Sequence, residues 1–533
     1  MMMKVIEESQ VSPPPNSLPS PTTLPLTLFD ISWFFIIPPV QRIFFYHFPH
    51  PTHHFLQTTL PILKHSLSLT LQHFFPFSSN LIILPNSDNP PYIRYLDGDS
   101  LSFTVSESSA DFNLLISDSQ DAQNWHPLVP NLPPPRTEPN GTTVVPLMAI
   151  QVTVLPNSGF SICLTFKHVA ADGKSLHHFM KYWASLSKAI ANNNNNSLSL
   201  DLPSHERDKI LTFPNAPKLT YLYKDAYRSS YVDKVRTSLV LSHEQVQKLK
   251  KWFGIPRRKN WLSPPLPYCP SPFEDPSGYC LPLLDVLRYS FFCLTQPSKA
   301  HFLSPLLSYL LSPVSLSWRL RILFLGRKWF VDNCKDTTKH ISTFVVTCSL
   351  VWFCMVKSEK NTGGDDFVVD DLCNFLFLAD CRDRPEYSLP KTYFGNCLAS
   401  YSVVVKRGEL VGKDGIVVAA NGIERKIRDF KSDALLGAEV LMPDYRQLWK
   451  QGMSFVVVAG SPKLGVYETD FGWGKPVKSD AVHIDLFGSI SLSDCRDGGG
   501  GIEVGLALER NRMANFVSIF QEQLDSICSI QFL

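Results

Sequence analysis

In "GFSICLTFKHVAADGKSLHHFMKYWASL", residues 159–186, the apolar pattern changes period, and few folds can accommodate that change. Phe160, Ile162, Leu164 and Phe166 alternate with Ser161, Cys163 and Thr165, which is the two-residue period of a strand. After Gly173 the apolar residues Leu176, Phe179, Met180, Trp183 and Leu186 recur as one helical stripe, which ends before the polar run at 192–196. Upstream, "TTVVPLMAIQVTVL" reads as a partner strand, joined through the turn Pro156-Asn157-Ser158-Gly159. The C-terminal end repeats the theme. A hairpin turns at Gly498 to Gly501, and its second strand alternates Ile502, Val504, Leu506 and Leu508. A helix comes next, with Met513, Phe516, Val517, Phe520 and Leu524 on one face. Strands interleaved with helices in both halves imply an α/β protein of two domains.

The chain has 533 residues, enough for such a pair with a large core. Residues 1–24 form a Pro/Ser-rich lead, and 25–191 form an N-terminal domain. A polar connection spans 192–231, and the remainder, 232–533, is a C-terminal domain. Within the first domain, residues 54–75 show helical spacing, with Pro61 near the first turn, and Asp97-Gly98 marks a turn between two strand-like runs. Within the second, 241–253 is a helix with Ser242 as N-cap and Gln245 at the capping-box position. Residues 257–335 do not match their surroundings: they hold ten prolines but only four acidic residues, without a sustained period. The simplest reading is translated intron or gene-model error, with a disordered insertion as the alternative.

Charge and composition exclude several classes of function. A formal net charge of +2 gives no basis for nucleic-acid binding or polybasic membrane attachment. The start lacks the apolar core of a secretory signal, and the apolar runs are too short or too interrupted to cross a bilayer. Twelve cysteines are scattered with no C-x-x-C pair, so reduced thiols in a cytoplasmic protein are expected. His177-His178 suggests no metal site, because adjacent helical residues point apart and no ligand pair stands nearby. Neither a phosphate-binding glycine loop nor a G-x-S-x-G nucleophile is present.

Two motifs carry chemistry. His168 lies just past a strand and four residues ahead of Asp172, with Ala170, Ala171 and Gly173 allowing a tight turn and close approach of a ligand. By itself H-x-x-x-D is expected about once by chance in a chain of this size. Its position where strand meets helix is what makes His168 a candidate base, since an imidazole of pKa about 6.5 can take a proton from an alcohol. The second motif is "DFGWG", Asp470 to Gly474, whose two glycines around a tryptophan imply a defined loop.

Six islands in fixed order extend these two motifs: "FDISW" at 29–33, "HVAADG" at 168–173, "HISTF" at 340–344, "ADCRDR" at 379–384, "YFGNC" at 393–397 and "DFGWGKP" at 470–476. On these the chain resembles the plant BAHD acyl-CoA-dependent acyltransferases, and "YFGNC" with "HVAADGKS" is similar to the anthocyanin and phenolic-glucoside acyltransferase branch. Serine in "FDISW" stands where that family often has proline, and the insertion at 257–335 is the larger departure.

The resemblance implies two similar chloramphenicol-acetyltransferase-like domains, each a mixed sheet with helices, joined by a crossover loop around a channel. It implies acyl-CoA as co-substrate, no bound cofactor or metal, a small phenolic glycoside as acceptor, and a monomer without membrane or nucleic-acid partners. It gives His168 the role of general base, has Asp172 pair with Arg382 to hold the loop, and makes the DFGWG loop a largely structural element on the CoA side, with Asp470 treated as catalytic in some accounts. Gly173, Gly472, Trp473 and Gly474 would support the site, and Ser342, Thr343 and Lys174 would contact the acyl-CoA. The expected reaction moves a malonyl group to a sugar hydroxyl, with hydroxycinnamoyl groups such as coumaroyl second. A malonyl carboxylate would want a cation, for which Lys174 or Arg407 are the candidates. The competing reading is a catalytically impaired relative, or a mis-spliced product, that at most binds a ligand.

Overall fold

A computed structural model describes residues 2–34, 39–85, 90–193, 201–211, 233–254, 341–359, 369–385, 389–432, 454–486 and 489–530. The chain divides into two units, residues 1–250 with 342–533, and residues 251–341. The insertion expected at 257–335 lies outside the described residues, as does most of the connection expected at 192–231.

Two mixed sheets dominate the first unit. In one, the strands Met148–Leu155 and Gly159–Phe166 form the expected hairpin, and all sixteen residues are buried. That two-sided burial is why Ser161, Cys163 and Thr165 are core residues here and not a solvated face. Leu101–Ser108 runs parallel to Met148–Leu155, and Val40–His47 flanks Gly159–Phe166 antiparallel. Met3–Val11 pairs antiparallel with Leu101–Ser108 as an edge strand, and Thr22–Pro25 joins a separate five-stranded sheet. Residues 1–24 are therefore part of the fold, which corrects their reading as a lead. The Asp97-Gly98 turn is real, with Gly98 at a φ of +89°, but the strands it separates belong to different sheets.

The other sheet has seven strands, with Leu372–Asp380 parallel to Ser454–Gly460 and antiparallel to Leu398–Lys406. The terminal hairpin, Ile490–Asp494 with Ile502–Glu509, forms as expected. Helix Arg510–Cys528 buries Met513, Phe516, Phe520 and Leu524. Val517 is the exception at 38% exposed, and Ile527 completes the stripe in its place. Helix Thr343–Lys357 is buried without a break from Val345 to Val356, between helices on its flanks, so "FVVTCSLVWFCMV" is a core element. No helix among the described residues is long and apolar enough to cross a membrane. Ser242 and Gln245 exchange both capping-box hydrogen bonds, at 2.9 and 3.2 Å.

The helix expected at 54–75 starts earlier, at Thr52, and its regular part ends at Leu71. Pro61 falls in the first turn of the regular helix Leu60–Leu71, as expected, where a missing N–H costs little. A π-helical turn over Phe55–Thr59 precedes it, with Leu60 N–H reaching back to the carbonyl of Phe55.

Each large sheet also borrows a strand from the other half. Lys478–Ala481 pairs with Val40–His47 of the first sheet, and Ser119–Asp121 pairs with Lys234–Leu241 of the second. Buried charges hold this exchange together. Arg236 bridges Asp480 at 2.8 Å and Asp485, with its guanidinium 4.4 Å from the Trp125 ring centre. Lys478, 1% exposed, pairs with Glu503 at 3.0 Å. Replacing Arg236 with methionine would keep the packing and deprive two buried carboxylates of this cation. A loss of about 3–5 kcal/mol is expected. It would be read as a clear fall in melting temperature, whereas an unchanged melt would show that the exchange does not depend on this pair.

Candidate functional site

The His168 loop is built from both halves. Phe166 ends the strand, and a single 3-10 turn, His168–Ala170, leads into the helix Gly173–Ala191. Asp172 is the N-cap of that helix, its Oδ1 accepting the Ser175 amide at 3.0 Å. Its other oxygen accepts the Cys397 amide at 3.2 Å and pairs with Arg382 Nη2 at 2.8 Å, both side chains fully buried. Arg382 also donates to the carbonyls of Tyr393 and Gly395 and to Asp380. The expected Asp172–Arg382 pair is present, and the capping role is added to it. Gly395 sits at a φ of +142°, and a Cβ there would meet Tyr393 Oη at 2.8 Å and Arg207 at 3.2 Å. Only glycine lets this backbone pass. Gly173 is different: its φ is ordinary and a Cβ would meet only Leu464, at 3.5 Å, so the turn does not require glycine there.

His168 itself is governed by residues whose roles the sequence does not reveal. Its Nδ1 lies 3.1 Å from Asn396 Oδ1. The Asn396 amide nitrogen faces three acceptors: Asp30 Oδ1 at 3.0 Å, the His168 carbonyl at 2.9 Å and the Val169 carbonyl at 3.4 Å. A carboxylate and two carbonyls can only accept, so this end must be the NH2 and the other end the oxygen. Nδ1 of His168 therefore carries the proton and donates it to Asn396, which leaves Nε2 with the free lone pair. Asp30 is anchored in turn by Arg207 at 2.7 Å and by the amide and hydroxyl of Thr27. Arg207 comes from the described part of the connection between the halves, which touches "YFGNC" where Phe394 N–H donates to the Ser204 carbonyl at 2.8 Å.

Trp33, on the short helix Leu28–Phe34, stacks flat on the imidazole, with ring centres 3.7 Å apart and planes within 7°. Burial is the largest influence on His168 and pulls its pKa below the ordinary value, opposed by Asp172, the Asn396 hydrogen bond and Asp30. Burial thus favours the neutral imidazole. Asp30 and Trp33 both belong to the "FDISW" island, and an aspartate three residues after Thr27 is the one available signal, that of a local hydrogen-bonded turn.

The "DFGWG" loop is closed by its own aspartate. Asp470 Oδ1 accepts the amides of Gly472 and Gly474 at 2.8 and 3.1 Å, and its Oδ2 pairs with Lys188 at 2.6 Å. These contacts close a loop, and among the described residues none of them reaches His168 or Arg382. Gly472 and Gly474 have φ of +116° and +112°, which explains the two glycines. Phe471 and Trp473 stack on each other, and both pack edge-on against Tyr46 of the first sheet. Of the expected acyl-CoA contacts, Ser342 caps helix Thr343–Lys357 through the Val345 amide, and Thr343 is the first residue of that helix. Lys174 is paired with Asp380 at 2.8 Å, and Arg407 with Glu359 at 2.6 Å. These cations are already engaged.

Similarity to known proteins points the same way. A family model described as the Transferase family matches residues 1–523. A coumaroyl-CoA:anthocyanidin 3-O-glucoside-6''-O-coumaroyltransferase of Arabidopsis thaliana is 35% identical, over 97% of this chain and 97% of its own. A malonyl-coenzyme A:anthocyanin 3-O-glucoside-6''-O-malonyltransferase of Dahlia pinnata is 32% identical, over 98% of each chain. The crystal structure of vinorine synthase superposes with a TM-score of 0.61 at 16% identity, covering 97% of this chain and 98% of that one, which supports the shared α/β fold of mixed sheets flanked by helices. The chain belongs to the BAHD branch of this transferase family, among the anthocyanin and phenolic-glucoside acyltransferases, and is an acyltransferase.

Proposed function

We propose that the protein transfers an acyl group from a CoA thioester to a sugar hydroxyl of a phenolic or flavonoid glycoside, directly and without an acyl-enzyme. The observation that carries the mechanism is the tautomer of His168: Nδ1–H is held by Asn396, so Nε2 is the basic atom. In this reading Nε2 takes the proton of the acceptor hydroxyl as its oxygen bonds to the thioester carbonyl carbon. The tetrahedral intermediate then breaks its C–S bond, and the imidazolium returns the proton to the departing CoA sulfur. Asp172 and Arg382 are positioning residues, Asp470 shapes its own loop, and Ser342 and Thr343 remain acyl-CoA contacts at the start of their helix. The two sheets with their helices serve as the two domains, and the acyl-CoA and acceptor meet between them at His168. The protein works as a cytoplasmic monomer.

For the donor, the pairing of the two candidate cations, Lys174 with Asp380 and Arg407 with Glu359, favours an uncharged hydroxycinnamoyl group such as coumaroyl over malonyl. Malonyl is the second reading, supported by the similarity to the Dahlia enzyme. An intact buried frame around His168 supports an active enzyme over an impaired relative. CoA release measured across coumaroyl-CoA and malonyl-CoA, each with a panel of phenolic and anthocyanidin glucosides, tests both. Faster turnover of malonyl-CoA would reverse the donor assignment, and no turnover with any pair would favour the impaired relative.

Two further outcomes are expected. His168→Ala should lower transfer by 10² to 10⁴, roughly 3–5 kcal/mol of transition-state stabilisation, in a folded protein. More than half the wild-type rate in that variant would remove His168 as the base. Because the base must be unprotonated and its pKa is depressed, kcat/KM should stay level as pH falls through about 6.5 and decline only below it. A decline beginning above about pH 6.5 would contradict a base whose pKa is lowered by its surroundings.

Asp172→Ala should cost roughly 3–5 kcal/mol of stability, since it leaves Arg382 buried beside only the partly exposed Asp380, and activity should fall with it. Asp172→Asn keeps the capping oxygen and should melt higher than the alanine variant. If either variant lost activity at an unchanged melting temperature, Asp172 would have a direct chemical role.

A further inference from the structure

Among the described residues, no carboxylate is hydrogen-bonded to the catalytic imidazole. Nδ1 of His168 donates to a neutral amide, Asn396, and the nearby Asp172 carboxylate is engaged by Arg382 and two backbone amides. When Nε2 takes the proton of the acceptor hydroxyl, a cation forms at a half-buried position with no anion bonded to it. One surface does lie against it. The indole of Trp33 covers a whole face of the ring at 3.7 Å, with the planes within 7°. Its Nε1–H is buried without a partner among the described residues. An unmade hydrogen bond of this kind is normally avoided, so the position of the indole is not set by its polar atom.

We propose that Trp33 is a positioning residue that holds the imidazole plane and stabilises the imidazolium of the transition state through its π face. This inference rests on His168 being the base. The ground-state imidazole is neutral and gains little from the quadrupole of the indole, whereas the protonated ring gains a cation–π attraction that is strongest where water is excluded. The interaction is therefore stronger in the transition state than before it, and such a difference raises kcat, not affinity. The proton balance is that of the proposed reaction: it moves from the acceptor hydroxyl to Nε2 and later to the CoA sulfur. The helix carrying Trp33 also carries Asp30, which fixes Asn396, so one short helix sets the imidazole from its face and from its edge. The charges that act on the ring besides this are Asp30 and Asp172, which favour the cation, and His483, which opposes it. None of them is removed when Trp33 is replaced.

The test uses the full-length protein with Trp33→Leu and Trp33→Phe, assayed with the acyl-CoA and glucoside pair that the wild type turns over fastest. Leucine keeps apolar cover over the ring and removes the π face, and phenylalanine keeps a weaker one. For Trp33→Leu, kcat is expected to fall by about 3- to 30-fold, with KM for both substrates within about twofold. The acid limb of kcat/KM should move to lower pH by about half a unit to one unit, because the cation loses a stabilising contact. Trp33→Phe should recover part of both. Wild-type kcat and an unmoved acid limb in folded Trp33→Leu would overturn the proposal. So would a loss of kcat with an unmoved limb, which is what a purely structural role produces. If Trp33→Leu does not fold, Trp33→Phe decides alone: a smaller shift in the same direction supports the proposal, and an unmoved limb overturns it. His168→Ala in the same assay separates the two ideas. Retained transfer there removes the base and this inference with it, whereas loss there beside an unaffected Trp33→Leu removes only the role of Trp33.

Discussion

The 3.1 Å hydrogen bond between His168 and Asn396 crosses from one half of the chain to the other, and it survives only if the halves cannot slide. His168, Asp172, Asp30 and Trp33 come from the N-terminal half, and Arg382 and Asn396 from the C-terminal half. The borrowed strands Lys478–Ala481 and Ser119–Asp121 provide the rigidity, each turning an interface between two sheets into a continuous ladder. The buried charges around Arg236 and Lys478 then make the register specific, because shifting either strand would separate ions that have already lost their water.

Two polar networks radiate from this frame, and they divide the work. One is the Asp172–Arg382 pair with the glycine-containing turn at Gly395. It fixes the backbone by joining the first turn of helix Gly173–Ala191 to the far half. The other runs from Arg207 through Asp30 and Asn396 to His168, and fixes a proton. Burying charged groups in both is costly, and the cost is offset by near-complete hydrogen bonding of the carboxylates. The "DFGWG" loop stands apart from both. Its aromatic pair is packed into the first sheet, so it acts as a clasp between halves and its aspartate as the knot that closes the clasp.

The range of each interaction decides how legible it is in the sequence. The hairpin ending at Phe166, the stripe on helix Gly173–Ala191 and the capping box at Ser242 are local patterns, and they can be read directly. Longer-range packing sets what a local signal does not. Residues 1–24 are rich in proline and serine yet supply an edge strand, because a distant partner, as Phe103 is to Ser9 across 94 residues, provides the ladder. Pro61 reads as a helix start and lies in the first turn of Leu60–Leu71. Val517 fits the apolar stripe by spacing and faces outward, since the last turn is completed by Ile527. In the site, Asp172 and Arg382 are legible only through resemblance. Asn396 meets His168 across 228 residues, and Arg207 meets Asp30 across 177, and no spacing rule joins such residues.

The same distances explain why aspartate serves here without touching the histidine. In a triad the carboxylate binds the imidazole directly and supplies both orientation and charge. Here orientation is delegated to a neutral amide whose own direction is enforced by three acceptors, and the charge of Asp30 reaches the ring without a direct bond. A directly bonded carboxylate would raise the basicity of the ring and hold more of it protonated near neutrality. The neutral amide, with burial, keeps the resting ring unprotonated and ready to accept. In the proposed reaction, which begins by receiving a proton from an alcohol, that is the more useful resting state, and the frame of exchanged strands is what allows so indirect an arrangement to hold its geometry.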